Sequence, residues 1–283
     1  MKKQSKPILF SAFSLFFLLA LGSATASYMA VEVEDEREFD YIAGSEKGPM
    51  HWGELKEEWE ACKKGKMQSP IDLSNQRVKV MPKLRDIQRS YKPSNTTLKN
   101  RGHDISLQWD MGNAGSIKIN GTEYFLQQCH WHSPSEHTIN GRSYALELHM
   151  IHVSTDPDVE NSIAVVGLLY KTGAPDAFLS KLMGNVRSLI GEEGERKMGI
   201  IDPREIEMGG KNYLRYMGSL TTPPCTEGVI WTINKKIGTV SKDQIKLLRE
   251  AVHDYAEKNA RPVQQLYKRE IHLYLPNKAA TPN

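Results

Sequence analysis

Two alternating, histidine-rich segments constrain this chain more than anything else in it. On an extended strand, successive side chains point to opposite faces. In Tyr124-Phe-Leu-Gln-Gln-Cys-His-Trp-His132 this puts Leu126, Gln128, His130 and His132 on one face, and Phe125, Cys129 and Trp131 on the other. In Tyr144-Ala-Leu-Glu-Leu-His-Met-Ile-His-Val153, Glu147, His149 and Ile151 share one face while Leu146, Leu148, Met150 and His152 share the other. Asn140-Gly141 lies between them, a turn signal, so the two segments are expected to run antiparallel side by side. His149 then comes beside the His130/His132 pair, and His152 points away into packing.

Three uncharged nitrogen ligands on rigid strands suit Zn²⁺, and a fourth position left to water makes such a site catalytic rather than structural. Gln128 and Glu147 each precede a ligand histidine by two residues on the same face, placed to accept the other ring N–H and fix the tautomer. Buried polar groups need partners, and a metal supplies one. No His-Glu-x-x-His helix motif occurs, which argues against a metalloprotease.

Further short β-type runs recur between turn residues: Asp104–Trp109, Ser116–Ile119, Ile163–Tyr170, Tyr213–Tyr216 and Val229–Ile233. Helical patterns are fewer, at Ala177–Ile190 and at Lys242–Lys258 after the cap-like Ser241. The expectation is a mostly β (α+β) single domain over residues 41–275, with a few surface helices. An acidic arm (27–40) precedes it and a polar tail (276–283) follows.

Met1–Lys6 is basic, Ile8–Leu21 is almost wholly apolar, and Ala24-Thr25-Ala26 fits a cleavage site, so residues 1–26 read as a secretory signal peptide. The apolar run of ~14 residues is short for a span that needs ~20, and no membrane anchor is expected. Lys2, Lys3 and Lys6 lie in that leader, which holds no acid; the other 257 residues carry 34 basic and 34 acidic side chains. A neutral body argues against nucleic acid as a partner. Asn95-Thr96-Thr97 and Asn120-Gly121-Thr122 are acceptor triplets for glycosylation. Three cysteines in an oxidising compartment give one pair or none. Cys62 lies in a polar stretch and Cys225 in a Pro-rich loop, so these two are paired here, and Cys129, among apolar neighbours, is left as a buried thiol.

From about Tyr41 to Leu275 the sequence resembles an α-class carbonic anhydrase. The matching pieces are His51-Trp-Gly53, Gln68-Ser-Pro-Ile-Asp72, Asn100-Arg-Gly-His103, Gln128-Cys-His-Trp-His132, Ser135-Glu-His137, Glu147-Leu-His149, Gly218-Ser-Leu-Thr-Thr-Pro-Pro224 and Asn259-Ala-Arg-Pro262. Gln127-Gln-Cys-His-Trp-His-Ser-Pro-Ser-Glu-His137 looks like the plant branch. The resemblance implies a large, mostly antiparallel twisted central sheet, with zinc at the bottom of a cone-shaped cleft. It implies reversible hydration of CO₂ to bicarbonate by zinc-bound hydroxide, with His130, His132 and His149 as ligands. Thr221 would pass its proton to Glu136, Thr222 would line the pocket, and His103 would be the proton shuttle, a movable imidazole at the cleft mouth. Ile151, Val165, Leu220, Val229 and Trp231 would wall the CO₂ site, and the backbone of Asn259 would orient one zinc histidine. Cis bonds are implied at Ser69-Pro70 and Pro223-Pro224. Glu54, Arg101 and Ser106 depart from family patterns in the cleft. The rival expectation is a non-catalytic storage or binding protein of the same fold. The protein is expected as monomer or homodimer, destined for the apoplast or, by the secretory route, the chloroplast.

Overall fold

The computed structural model describes residues 38–191, 194–252 and 258–276. The expected leader, nearly all of the acidic arm and nearly all of the tail lie outside the described residues. So do residues 253–257, where the second expected helix would have continued.

Among the described residues thirteen strands form one sheet: β1 (Val78–Val80), β2 (Gln88–Arg89), β3 (Ser94–Asn100), β4 (Ile105–Trp109), β5 (Ser116–Ile119), β6 (Thr122–His132), β7 (Leu146–Val153), β8 (Ile163–Thr172), β9 (Gly194–Ile201), β10 (Tyr213–Ser219), β11 (Glu227–Asn234), β12 (Gly238–Val240) and β13 (Ile271–Tyr274). The main order is β1-β13-β10-β11-β8-β7-β6-β4-β3-β9, with β12 on β8, β5 on β6 and β2 on β5. Only β1/β13, β11/β8 and β12/β8 pair in parallel among the described residues, so the sheet is mostly antiparallel as expected. Among the described residues four α-helices lie outside it: α1 (Trp52–Leu55), α2 (Ala61–Lys64), α3 (Ala177–Arg187) and α4 (Lys242–Ala251). Ser241 caps α4, accepting from the Gln244 N–H while the Gln244 side chain bonds back to it. No helix among the described residues is long and apolar enough to cross a membrane.

β6 and β7 pair antiparallel with His130 directly opposite His149 and His132 opposite Glu147. One correction concerns β6. A register shift between Leu126 and Gln128 marks a bulge, and an extra residue flips the alternation beyond it. Leu126 therefore joins Tyr124, Cys129 and Trp131 in the larger apolar core, not the face of Gln128 and the two histidines, and Phe125 is only half-buried. The face assignments on β7 stand: Leu146, Leu148 and Met150 enter the larger core, and Ile151 enters a second one. That second core also collects Val165, Leu220, Val229 and Trp231. A third, small aromatic cluster holds Phe39, Tyr41, Trp52 and Trp59 around Cys62 and Cys225, which are disulfide-bonded; Cys129 is a buried free thiol. Cis peptides occur at Ser69-Pro70 and Pro223-Pro224, and also at Ser133-Pro134. Asn95 and Asn120 are both exposed, and Asn120-Gly121 turns the chain at φ 51° and 92° between β5 and β6.

Candidate metal centre

The rings of His130, His132 and His149 converge, with centroids 4.6–5.2 Å apart, and their ligating atoms lie within 4.8 Å of one another. All three are buried. Each has its other nitrogen occupied. His130 Nδ1 donates to Gln128 Oε1 at 3.0 Å, His132 Nδ1 to the Asn259 carbonyl at 2.6 Å, and His149 Nε2 to Glu147 Oε1 at 2.9 Å. The second nitrogen of each ring is thereby set on the side where the three meet. His132 Nε2 is buried with no hydrogen-bond partner among the described residues, as is Glu136 Oε2, 3.6 Å away. Two buried polar atoms without partners, beside a ring of nitrogen donors, are what a bound dication would satisfy. This donor set fits Zn²⁺.

Burial holds the His130 imidazolium well below its ordinary pKa, which favours the neutral, ligating form. At His132 burial acts the same way but is outweighed by the Glu136 carboxylate and the Asn259 carbonyl, which raise its pKa.

Behind the ligands runs a chain of hydrogen bonds that sequence reading did not assign. Glu147 Oε1 accepts from His137 Nδ1 at 2.7 Å as well as from His149; its Oε2 accepts from the backbone N–H groups of Glu136 and His137. His137 Nε2 then accepts from Tyr216 Oη at 2.7 Å, which lies 2.8 Å from Ser69 Oγ. Burial would raise the Glu147 carboxyl, but the imidazoles of His137 and His149 override it and hold it well below the usual range. With four donors on its two oxygens, Glu147 has little capacity left for a metal, although His137, Glu147 and His149 also lie close enough to be a ligand group. Ser135-Glu-His137 was legible as a motif, but no periodicity ties His137 to Tyr216, which is 79 residues away.

Arg261 was also missed. Its guanidinium donates to Gln68 Oε1, the Ser69 carbonyl and the Cys62 carbonyl, and its backbone N–H donates to Glu136 Oε1 at 2.9 Å. Burial pulls its pKa down to about 10. Asn259 does more than expected: besides orienting His132, its side chain bonds the Ser133 N–H and the carbonyls of His103 and Trp131.

Three residues sit otherwise than the resemblance implies. Among the described residues no hydrogen bond joins Thr221 to Glu136, whose second oxygen lies 3.6 Å from His132 and 4.0 Å from His149. His103 is not a solvent-facing ring at a cleft mouth: it is fully buried, 4.9 Å from the Phe39 ring, with Nε2 3.9 Å from Asp104. Glu54 does not enter the site, because its carboxylate turns outward to His51 and Lys63, whose hydrogen bonds pull its pKa down to about 2. Thr221 and Thr222 are buried, as are Ile151, Val165, Leu220, Val229 and Trp231, with Trp231 4.8 Å from the His149 ring. His152 lies apart, hydrogen-bonded to Tyr91 and the Ala164 carbonyl, and burial lowers its pKa to about 4.

A mostly antiparallel sheet carrying three converging, buried imidazoles beside an apolar wall defines a protein with a histidine group that could hold a metal ion. The chain belongs to the eukaryotic-type carbonic anhydrase family, whose profile matches residues 47–274. It is 56% identical over 265 residues to alpha carbonic anhydrase 7 of Arabidopsis thaliana, covering 93% of this chain and 94% of that protein. Among solved structures it is similar to dioscorin complexed with ascorbate (42% identity, TM-score 0.80, 84% of this chain and 98% of that one). It is also similar to a hyperthermostable carbonic anhydrase from a hydrothermal vent chimney (36% identity, TM-score 0.74, 83% and 99%).

Proposed function

We propose that the chain interconverts CO₂ and bicarbonate using Zn²⁺ held by His130, His132 and His149. The carrying observation is the convergence of three rings whose outward nitrogens are all occupied by acceptors. When bound, Zn²⁺ would supply a nucleophile from solvent near neutral pH, the water pKa of about 7 being carbonic anhydrase's own well-known value. Gln128, Asn259 and Glu147 hold the ligand tautomers. The Glu136 carboxylate, fixed by the Arg261 N–H, keeps one oxygen free to take a proton from Thr221 once the nucleophile engages that hydroxyl. Thr222, whose buried hydroxyl has no hydrogen-bond partner among the described residues, offers a donor to bicarbonate. Ile151, Val165, Leu220, Val229 and Trp231 exclude water from the side CO₂ approaches. His103 is assigned the proton relay, and its ring must swing from beside Phe39 to reach buffer. The protein enters the secretory pathway and acts in the apoplast or the chloroplast.

Stopped-flow CO₂ hydration with metal analysis tests this. Rapid hydration with about one zinc per chain is expected; His149→Ala should lose both. Full hydration by a zinc-free His149→Ala protein would overturn the ligand assignment. The likeness to dioscorin complexed with ascorbate favours a second reading, a small-molecule binding protein of this fold; it predicts no hydration by the zinc-loaded chain.

A further inference from the structure

A second site lies away from the imidazoles. Between Arg77 and Lys92 the chain carries six basic residues and one acid, Asp86, although residues 27–283 balance to zero. The loop from Lys83 to Gln88 faces the β5–β6 turn across a cavity of about 250 Å³, with Arg215 of β10 also lining it. Lys83, Arg85, Lys118 and Arg215 bring four positive charges to this space.

Their countercharges are engaged elsewhere. Asp86, the one acid on the wall, pairs with Lys211 at 2.8 Å and accepts from Tyr274 Oη at 2.8 Å. Glu123 stands opposite Lys118 in the ladder, but its carboxylate accepts from Ser116 Oγ at 2.5 Å. Arg215 stacks 4.8 Å from the Tyr213 ring and donates Nε to Thr232 Oγ1 at 3.1 Å; its terminal nitrogens form no hydrogen bond or ion pair among the described residues. Burial lowers the Arg215 pKa against the opposing pull of Tyr213 and Tyr124. A planar guanidinium held by stacking and one Nε bond presents its remaining donors as a fork, the geometry that suits an oxyanion.

We propose that this cavity binds a small multivalent oxyanion of the phosphate class, with Arg215 as the anchoring fork and Lys83, Arg85 and Lys118 as surrounding charge. The cavity is near the low end of small-ligand pockets, which suits a phosphate group rather than a large organic anion.

The test is calorimetric titration of the zinc-loaded protein with inorganic phosphate in physiological chloride. It compares the parent, Arg215→Met and the double variant Lys83→Gln/Lys118→Gln. Saturable binding is expected in the parent, weakened roughly tenfold or more in each variant, with CO₂ hydration unchanged in the double variant. Phosphate binding at the metal centre would be unaffected by these substitutions, so equal affinity in parent and variants overturns the proposal, as does no saturable binding in the parent. Should Arg215→Met fail to fold, the double variant decides, since both lysines are exposed.

Discussion

Arg101 and Asp104 show how a single ion pair can be worth more than its surface counterparts. Both side chains are buried, at 3% and 0% exposure. Burial pushes the Asp104 carboxyl up, but Arg101, with His103 and His130, overrides it and holds it far below the usual range. A depressed carboxylate contributes stability above its unfolded pKa of about 3.9 and loses it as pH falls through the folded value. Arg101→Leu should therefore cost about 3–5 kcal/mol at neutral pH, because it strands a buried charge. The loss should shrink near pH 3, where Asp104 of the variant takes up a proton. Urea unfolding at both pH values checks this, and an equal loss at both would rule it out. At His103, replacement by Ala should slow hydration chiefly in weak buffer, with added imidazole restoring the rate. Equal behaviour of variant and parent across buffers would remove His103 from the relay.

Elements differ in how far the chain announces them. β6 and β7 were legible because apolar and imidazole residues alternate there, and only the bulge at Gln127 defeated the period. β3 was missed: its inward positions are Ser94, Thr96, Leu98 and Asn100, largely polar residues that carry no apolar signal. β9 was missed because, as an edge strand, it keeps much of its length exposed. The three histidines and the Gln128 and Glu147 partners were legible from spacing. The Tyr216–His137 and Arg261–Gln68 contacts were not, since sequence spacing says nothing about pairs so far apart. The Cys62–Cys225 bridge ties α2 to the loop after β10, across a separation of 163 residues. Arg261 bonds the Cys62 carbonyl and Gln68 the Cys225 carbonyl, so the bridge sits in the network that fixes Glu136. Replacing both cysteines by Ser should cost about 4–5 kcal/mol on a chain-entropy estimate. It should also lower hydration at temperatures where the variant remains folded. Lowered stability with an unchanged rate would show the bridge to be only a staple.

For the molecule as a whole, metal and fold should be linked. An ion that binds only the native state raises stability through mass action. Stripping zinc with a chelator should abolish hydration and lower the melting temperature, and added Zn²⁺ should restore both; hydration persisting in metal-free protein would contradict the proposed chemistry. The order in which the parts emerge during synthesis adds a consequence. The three rings come from one hairpin near mid-chain, so they leave the ribosome together. The carbonyl that turns His132 toward its neighbours belongs to Asn259, 127 residues further along the chain. A polypeptide stopped between the hairpin and Asn259 would carry all three rings without the acceptor that sets His132, so the grip proposed for the ion would be complete only once distant parts of the chain had met.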